Sequence, residues 1–146
     1  MKKINTSKLS GKALDWTVAK CVGLPIKYDP MSFKTHQKPG GYWTMEPDIG
    51  QAIVGCSKHI GTDYSPSTNW MQGGQIIERE KIWLRGPHDA CKPDGTAVLR
   101  IDYWYAHINH HHVQNDPSPL VAAMRCFVAS QLGDEVEIPE ELMETA

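Results

Sequence analysis

Between Ser118 and Gly133 the chain marks both ends of a helix and fills the span between them with apolar side chains. Ser118 suits the N-cap, because its hydroxyl can accept from an unpaired N–H of the first turn. Pro119 suits the first helical position, where no N–H is needed. Val121, Met124 and Val128 recur at i, i+3 and i+7, Leu132 extends the stripe, and Gly133 ends it at the C′ position. A stripe of this kind has to be covered, so the rest of the chain must supply a layer to lie against it.

A second helix is predicted from about Gly11 to Cys21, capped by Ser10. Leu14, Val18 and Cys21 recur at i, i+4 and i+7, Trp16 flanks them, and Gly23 and Pro25 end the run. Between the helices the sequence is β-rich. Strands are predicted at Gly41–Met45, at Lys81–Arg85 and at Ala97–Tyr105, the last for its alternation and β-branched and aromatic content. Ile76–Glu80 reads as a short helix. Ile49–Cys56 reads equally as a strand or a turn of helix, and Pro30, Pro39, Gly40, Gly41 and Pro47 break any periodicity over 27–48. The expected architecture is a single α+β domain over 1–146, a small antiparallel sheet packed by N- and C-terminal helices, with ends frayed at about 1–7 and 140–146.

Composition narrows the function classes. With 146 residues, 40% apolar and 22% charged, the chain can close one core. Its net charge is −2 and its Lys and Arg are scattered among acids, so it lacks the basic stripe expected of a general nucleic-acid binder. No apolar run approaches the roughly 18 residues of a membrane span, and the two lysines at the N-terminus are not followed by the apolar core of a signal peptide. A cytosolic location is therefore expected. Cys21, Cys56, Cys91 and Cys126 stand 35 residues apart, but their flanks share no register and no CxxC pair occurs. They read as reduced thiols, Cys21 and Cys126 as small core residues.

His107, His110, His111 and His112 form a cluster. Consecutive histidines diverge on any regular backbone and no carboxylate or Cys stands at a partner spacing, so the segment reads as an exposed loop before the last helix and no metal is assigned. GxSxG, HExxH, P-loop and GxGxxG patterns are absent. No catalytic residue and no cofactor is assigned, and an undetected hydrolase stays as an alternative.

The polar loop before Ile76 carries the densest binding chemistry. Tyr64 and Trp70 offer ring faces, Ser65, Ser67 and Thr68 offer hydroxyls, and Asn69 and Gln72 offer amides. Gly73 and Gly74, if they open the helix at Ile76, would present backbone N–H groups to an anion, with Arg79 or Arg125 nearby. A compact turn with a buried Trp70 explains the same residues without a ligand.

Three segments carry a family likeness: LSGKALDWTVAKCVG at 9–23, YSPSTNWMQGGQIIEREKIWL at 64–84 and SPLVAAMRCFVASQLGDEVEIPEEL at 118–142. With the Trp104-Tyr105-Ala106 run before the final helix, they make the chain resemble the NinX family of lambdoid phages and prophages. Residues 26–60 and the triple His depart from that pattern. The resemblance implies a phage accessory protein acting in the host cytoplasm, in a family that supplies no catalytic residues to carry over. The expected activity is non-enzymatic binding of a small nucleotide-like ligand, for instance a host defence signal that is sequestered. The alternative is docking on a host protein through Trp43, Trp83 or Trp104. No membrane partner is expected, and a homo-oligomer is allowed.

Overall fold

The computed structural model describes residues 1–29, 41–46 and 56–145. Their architecture is α+β, with three helices and four small antiparallel sheets. The prediction for Ile49–Cys56 lies outside the described residues except at Cys56.

The helix predicted at 118–133 is the centre of the fold. α3 (Pro119–Leu132) has Pro at its start, and the Gly133 N–H bonds back to the Ala129 carbonyl. Its burial exceeds a single stripe: every residue from Ala122 to Ala129 is buried. Its neighbours explain this, because α3 packs on both other helices and most extensively on two strands of one sheet. α1 (Gly11–Val22) lies against it and buries Ala13 through Ala19 without interruption. Gly23 ends α1 at φ 88, a left-handed position where a Cβ would be strained, and its N–H reaches the Ala19 and Lys20 carbonyls. α2 (Trp70–Glu80) also packs on α3 and begins six residues before the predicted start.

The sheet on α3 has the order β5 (Trp83–Arg85), β8 (Trp104–Ile108), β9 (His111–Asp116). Leu84, Ala106 and Gln114 are in register and form one face, and Ala106 and Gln114 are buried. β8 and β9 both pack on α3, so that face is the covered one. β9 replaces the loop expected after the last strand. Asn109 and His110 stand at φ 48 and 66, the paired left-handed angles of a two-residue hairpin turn. The strand predicted at 97–105 divides in two. β7 (Ala97–Ile101) pairs with β6 (His88–Cys91) in a separate ribbon, whereas Trp104 pairs with Asp116 of β9.

β2 (Ile26–Asp29), β3 (Gly41–Glu46) and β4 (Cys56–His59) make a third sheet, joined to α1 where the Trp16 ring meets Tyr42 edge-on. Both termini carry regular structure. β1 (Lys2–Asn5) pairs with β10 (Glu135–Ile138), placing Lys3 opposite Glu137. β10 alternates exposed glutamates with buried Val136 and Ile138, each worth roughly 1.5–3 kcal/mol of burial. The following 3-10 turn, Glu140–Thr145, buries Leu142.

Candidate functional site

The 64–74 segment is drawn together, but largely as scaffold. Its anchor is Asp15, a buried carboxylate (2% exposed) on α1. The Ser67 N–H donates to Asp15 Oδ1 at 3.0 Å. Burial pushes the Asp15 carboxyl up to about 6, and the Ser67 N–H acts in the opposite direction. Ser67 Oγ itself is buried and has no formed hydrogen bond among the described residues. Nothing in the sequence around Asp15, mid-helix beside Trp16, signals its burial.

The other predicted residues follow from this anchoring. Tyr64 is 3% exposed and packs in the core, so it offers no open ring face. The Ser65 N–H donates to Gln72 Oε1 at 2.7 Å, and Gln72 Nε2 donates to the Asp63 carbonyl at 2.9 Å, so this amide staples the loop to α2. The Asn69 side chain accepts from the Met71 N–H at 2.9 Å, which makes it the N-cap of α2. Gly73 and Gly74 sit inside that helix rather than opening it, and their N–H groups are not at its free end. A Cβ on Gly73 would lie 2.3 Å from the Pro66 carbonyl oxygen and 2.7 Å from Leu120 Cδ2, so Gly is needed there for the loop, α2 and α3 to meet. Gly74 has open space.

Arg125 serves another junction. Its Nε donates to the Leu9 carbonyl at 2.7 Å, and Nη1 donates to Asp116 Oδ1 at 3.0 Å and to the Asn115 carbonyl at 3.3 Å. Those bonds tie α3 to β9 and to the segment before α1. Arg79 is exposed, pairs with Glu80 at 3.0 Å and lies over the Phe127 ring at 6.0 Å. What the loop leaves in solvent is its shoulder, with Thr68 exposed and Trp70 55% exposed beside Met71 at 78%. Trp70 is thus not the buried residue that a compact turn implied.

The densest accessible chemistry lies on the second face of the β5-β8-β9 sheet. Trp83 is directly opposite His107, and Arg85 is opposite Tyr105, which in turn is opposite Asn115. Trp83 is 64% exposed. Its ring lies nearly parallel to His107 (13° between planes, centroids 5.8 Å apart), and His107 lies nearly parallel to His110 (15°, 5.0 Å). The His110 N–H donates to His107 Nδ1 at 3.2 Å, which places the His107 proton on Nε2 and fixes the ring. Beside this stack Tyr105 meets Tyr103 at 5.1 Å and His88 at 6.4 Å, and the two tyrosine hydroxyls are 3.2 Å apart.

Charge on this face is one-sided. Trp83, Arg85, Tyr105, His107 and Asn115 include no carboxylate. Arg85 makes no ion pair or side-chain hydrogen bond among the described residues. The nearby Asp116 points to the other side, where Arg125 holds it. Of the three tryptophans considered for protein docking, Trp43 is buried and Trp104 is half-buried against Gly86, so Trp83 alone is largely open. Of the clustered histidines, His107 and His110 join this face as rings; among the described residues no group of three His, Cys, Asp or Glu side chains converges as a metal site. Period-two alternation in KIWLR and WYAHI already puts Trp83 with Arg85 and Tyr105 with His107 on common sides. Only the register of β5 against β8 merges them.

Cys21, Cys91 and Cys126 carry free thiols, and burial raises those of Cys21 and Cys126 to about 11 and about 12. Among the described residues no helix is long and apolar enough to cross a membrane. A family model described as "Bacteriophage P22, NinX" matches residues 5–131. No curated protein matches the chain.

Proposed function

Because the chain belongs to the bacteriophage P22 NinX family, we propose that it is a phage accessory protein of the host cytoplasm that works by binding, and that its ligand is anionic and carries a nucleobase. The observation that supports this reading is the exposed, near-parallel Trp83–His107–His110 stack beside the unpaired Arg85. Ring faces attract flat π-systems, and a guanidinium without a partner attracts phosphate. The reading moves the ring-and-cation chemistry expected of 64–74 onto the sheet. Trp70 and Thr68 then form the outer shoulder of the scaffold.

The test is a titration with a panel of nucleotides and oligonucleotides, followed by mass spectrometry of the recovered ligand. Binding with intact recovery, lost in Trp83→Ala at an unchanged thermal midpoint, is the expected result. A Trp83→Ala protein that binds as well as wild type removes this face from consideration, and a chemically altered ligand replaces binding with catalysis. A second reading, docking on a host protein, is supported by the adjacent exposed pair Trp70 and Met71, whose apolar surface needs no charged ligand.

A further inference from the structure

Resting on the reading of the sheet face given above, we infer that its occupant is a single-stranded nucleic acid with at least two consecutive unpaired bases, rather than a free nucleotide or a duplex. The geometry favours a strand in three ways. First, the face is open. β5 and β9 are the edges of a three-stranded sheet, so among the described residues neither border of the ring face is closed by a further strand. Small-ligand sites are clefts that enclose most of the ligand, and a lone nucleotide on a flat face stays mostly in water. A strand running across the same face gains contact with each base it lays down.

Second, the rings are plural and spaced. Tyr105 and His107 are alternate residues of β8, so they share a face about 6.7 Å apart. Trp83 lies opposite His107 on the neighbouring strand, and His88 and Tyr103 border Tyr105. One base needs one such platform. Sheets that recognise single-stranded RNA use this economy, stacking two or three bases on aromatic side chains, and every base has a face to stack.

Third, the charge matches unpaired bases better than a duplex. A duplex hides its base faces and is held by many phosphate contacts. This face offers Arg85 as its one unpaired cation among the described residues, together with Asn115 and two tyrosine hydroxyls that can read base edges. The chain's net charge of −2 is therefore no obstacle. Stacking carries the affinity and a single phosphate contact orients the strand.

The experiment compares a fluorescein-labelled oligothymidylate, an oligouridylate, a duplex of equal length and AMP, by anisotropy and competition. The expected order is single strands well above AMP and duplex, by about tenfold or more for each added stacked base. Binding should weaken only shallowly with salt, with a logarithmic slope near −0.7, the value for about one neutralised phosphate on a single strand. Trp83→Ala and Tyr105→Ala should each reduce affinity about tenfold, Trp83→Phe should retain it, and Arg85→Ala should flatten the salt dependence. AMP competing as strongly as the oligonucleotides overturns the inference and leaves the proposed function standing. Binding of neither overturns both. Self-association that Trp83→Ala abolishes, without nucleic-acid binding, assigns the face to a second copy of the chain and likewise refutes the strand.

Discussion

Replacing Asp15 by Asn tests how the loop 64–68 is held. The carboxyl is raised from 3.8 to about 6, chiefly by burial. At about 1.36 kcal/mol per unit, the shift corresponds to roughly 3 kcal/mol. Its sign follows from linkage: the folded state holds this proton more tightly than the unfolded chain does. The contribution to stability is therefore complete below 3.8 and is lost as pH rises through about 6. Asp15→Asn removes the titration but keeps an oxygen to accept from the Ser67 N–H, and it supplies N–H donors that the unpartnered Ser67 Oγ can accept. Urea unfolding of both proteins from about pH 4 to about pH 7.5 gives the assay. We expect the wild type to lose about 2–3 kcal/mol relative to the Asn protein across that range. Asp15→Ala, which leaves the Ser67 N–H without its acceptor, should be less stable than Asp15→Asn at every pH, by about 1–3 kcal/mol. A flat difference between wild type and Asp15→Asn, or one in which the wild type gains as pH rises, would refute the desolvation argument.

Three further outcomes follow from the packing. Gly73→Ala should cost about 1–3 kcal/mol in denaturant unfolding, because its Cβ meets backbone and Leu120. Gly74→Ala, in open space inside the same helix, should instead gain about 0.5–1 kcal/mol; equal effects would contradict the placement of α2. Asn69→Ala should lower stability by about 0.5–2 kcal/mol through loss of the cap, with oligonucleotide affinity unchanged. A fall in affinity with stability intact would return 64–74 to the role of binding site. Thiol labelling of the native protein at neutral pH should modify Cys91 well before Cys126, since one is exposed and the other is buried with its pKa pushed up to about 12; simultaneous labelling would contradict that burial.

The sequence read best where local chemistry and tertiary packing agree. Pro119 and Gly133 bound α3 and Gly23 ends α1, because such signals act within a turn of their own position; Ser10 and Ser118 stand at the N-caps, but neither side chain forms the expected cap bond. β3 was legible from GYWTM for its aromatic and β-branched content. β9 was not, because HHVQND turns mostly polar groups outward and only Gln114 lies among the buried residues. The start of α2 was hidden by its two glycines, which sequence alone reads as a break. In the fold one of them is the contact point between two helices and a loop. The site shows the same division. Polar density singled out Asn69 and Gln72, but density does not tell whether an amide faces a ligand or its own backbone. The ring face needs the pairing of β5 with β8, strands separated by the whole β6–β7 ribbon, and no local pattern encodes that pairing.

The clasp between the two ends has a consequence for how the protein is made. Thr6 donates its hydroxyl to the Gly133 carbonyl, a contact across 127 residues. A ribosome adding roughly 5–20 residues per second leaves that first segment waiting roughly 6–25 seconds for its partner to emerge. Through the same interval α1, with seven consecutive residues destined for burial, has no α3 to lie against. The nascent chain therefore carries an uncovered apolar helix through most of its synthesis, and chaperone demand should fall on the first twenty residues.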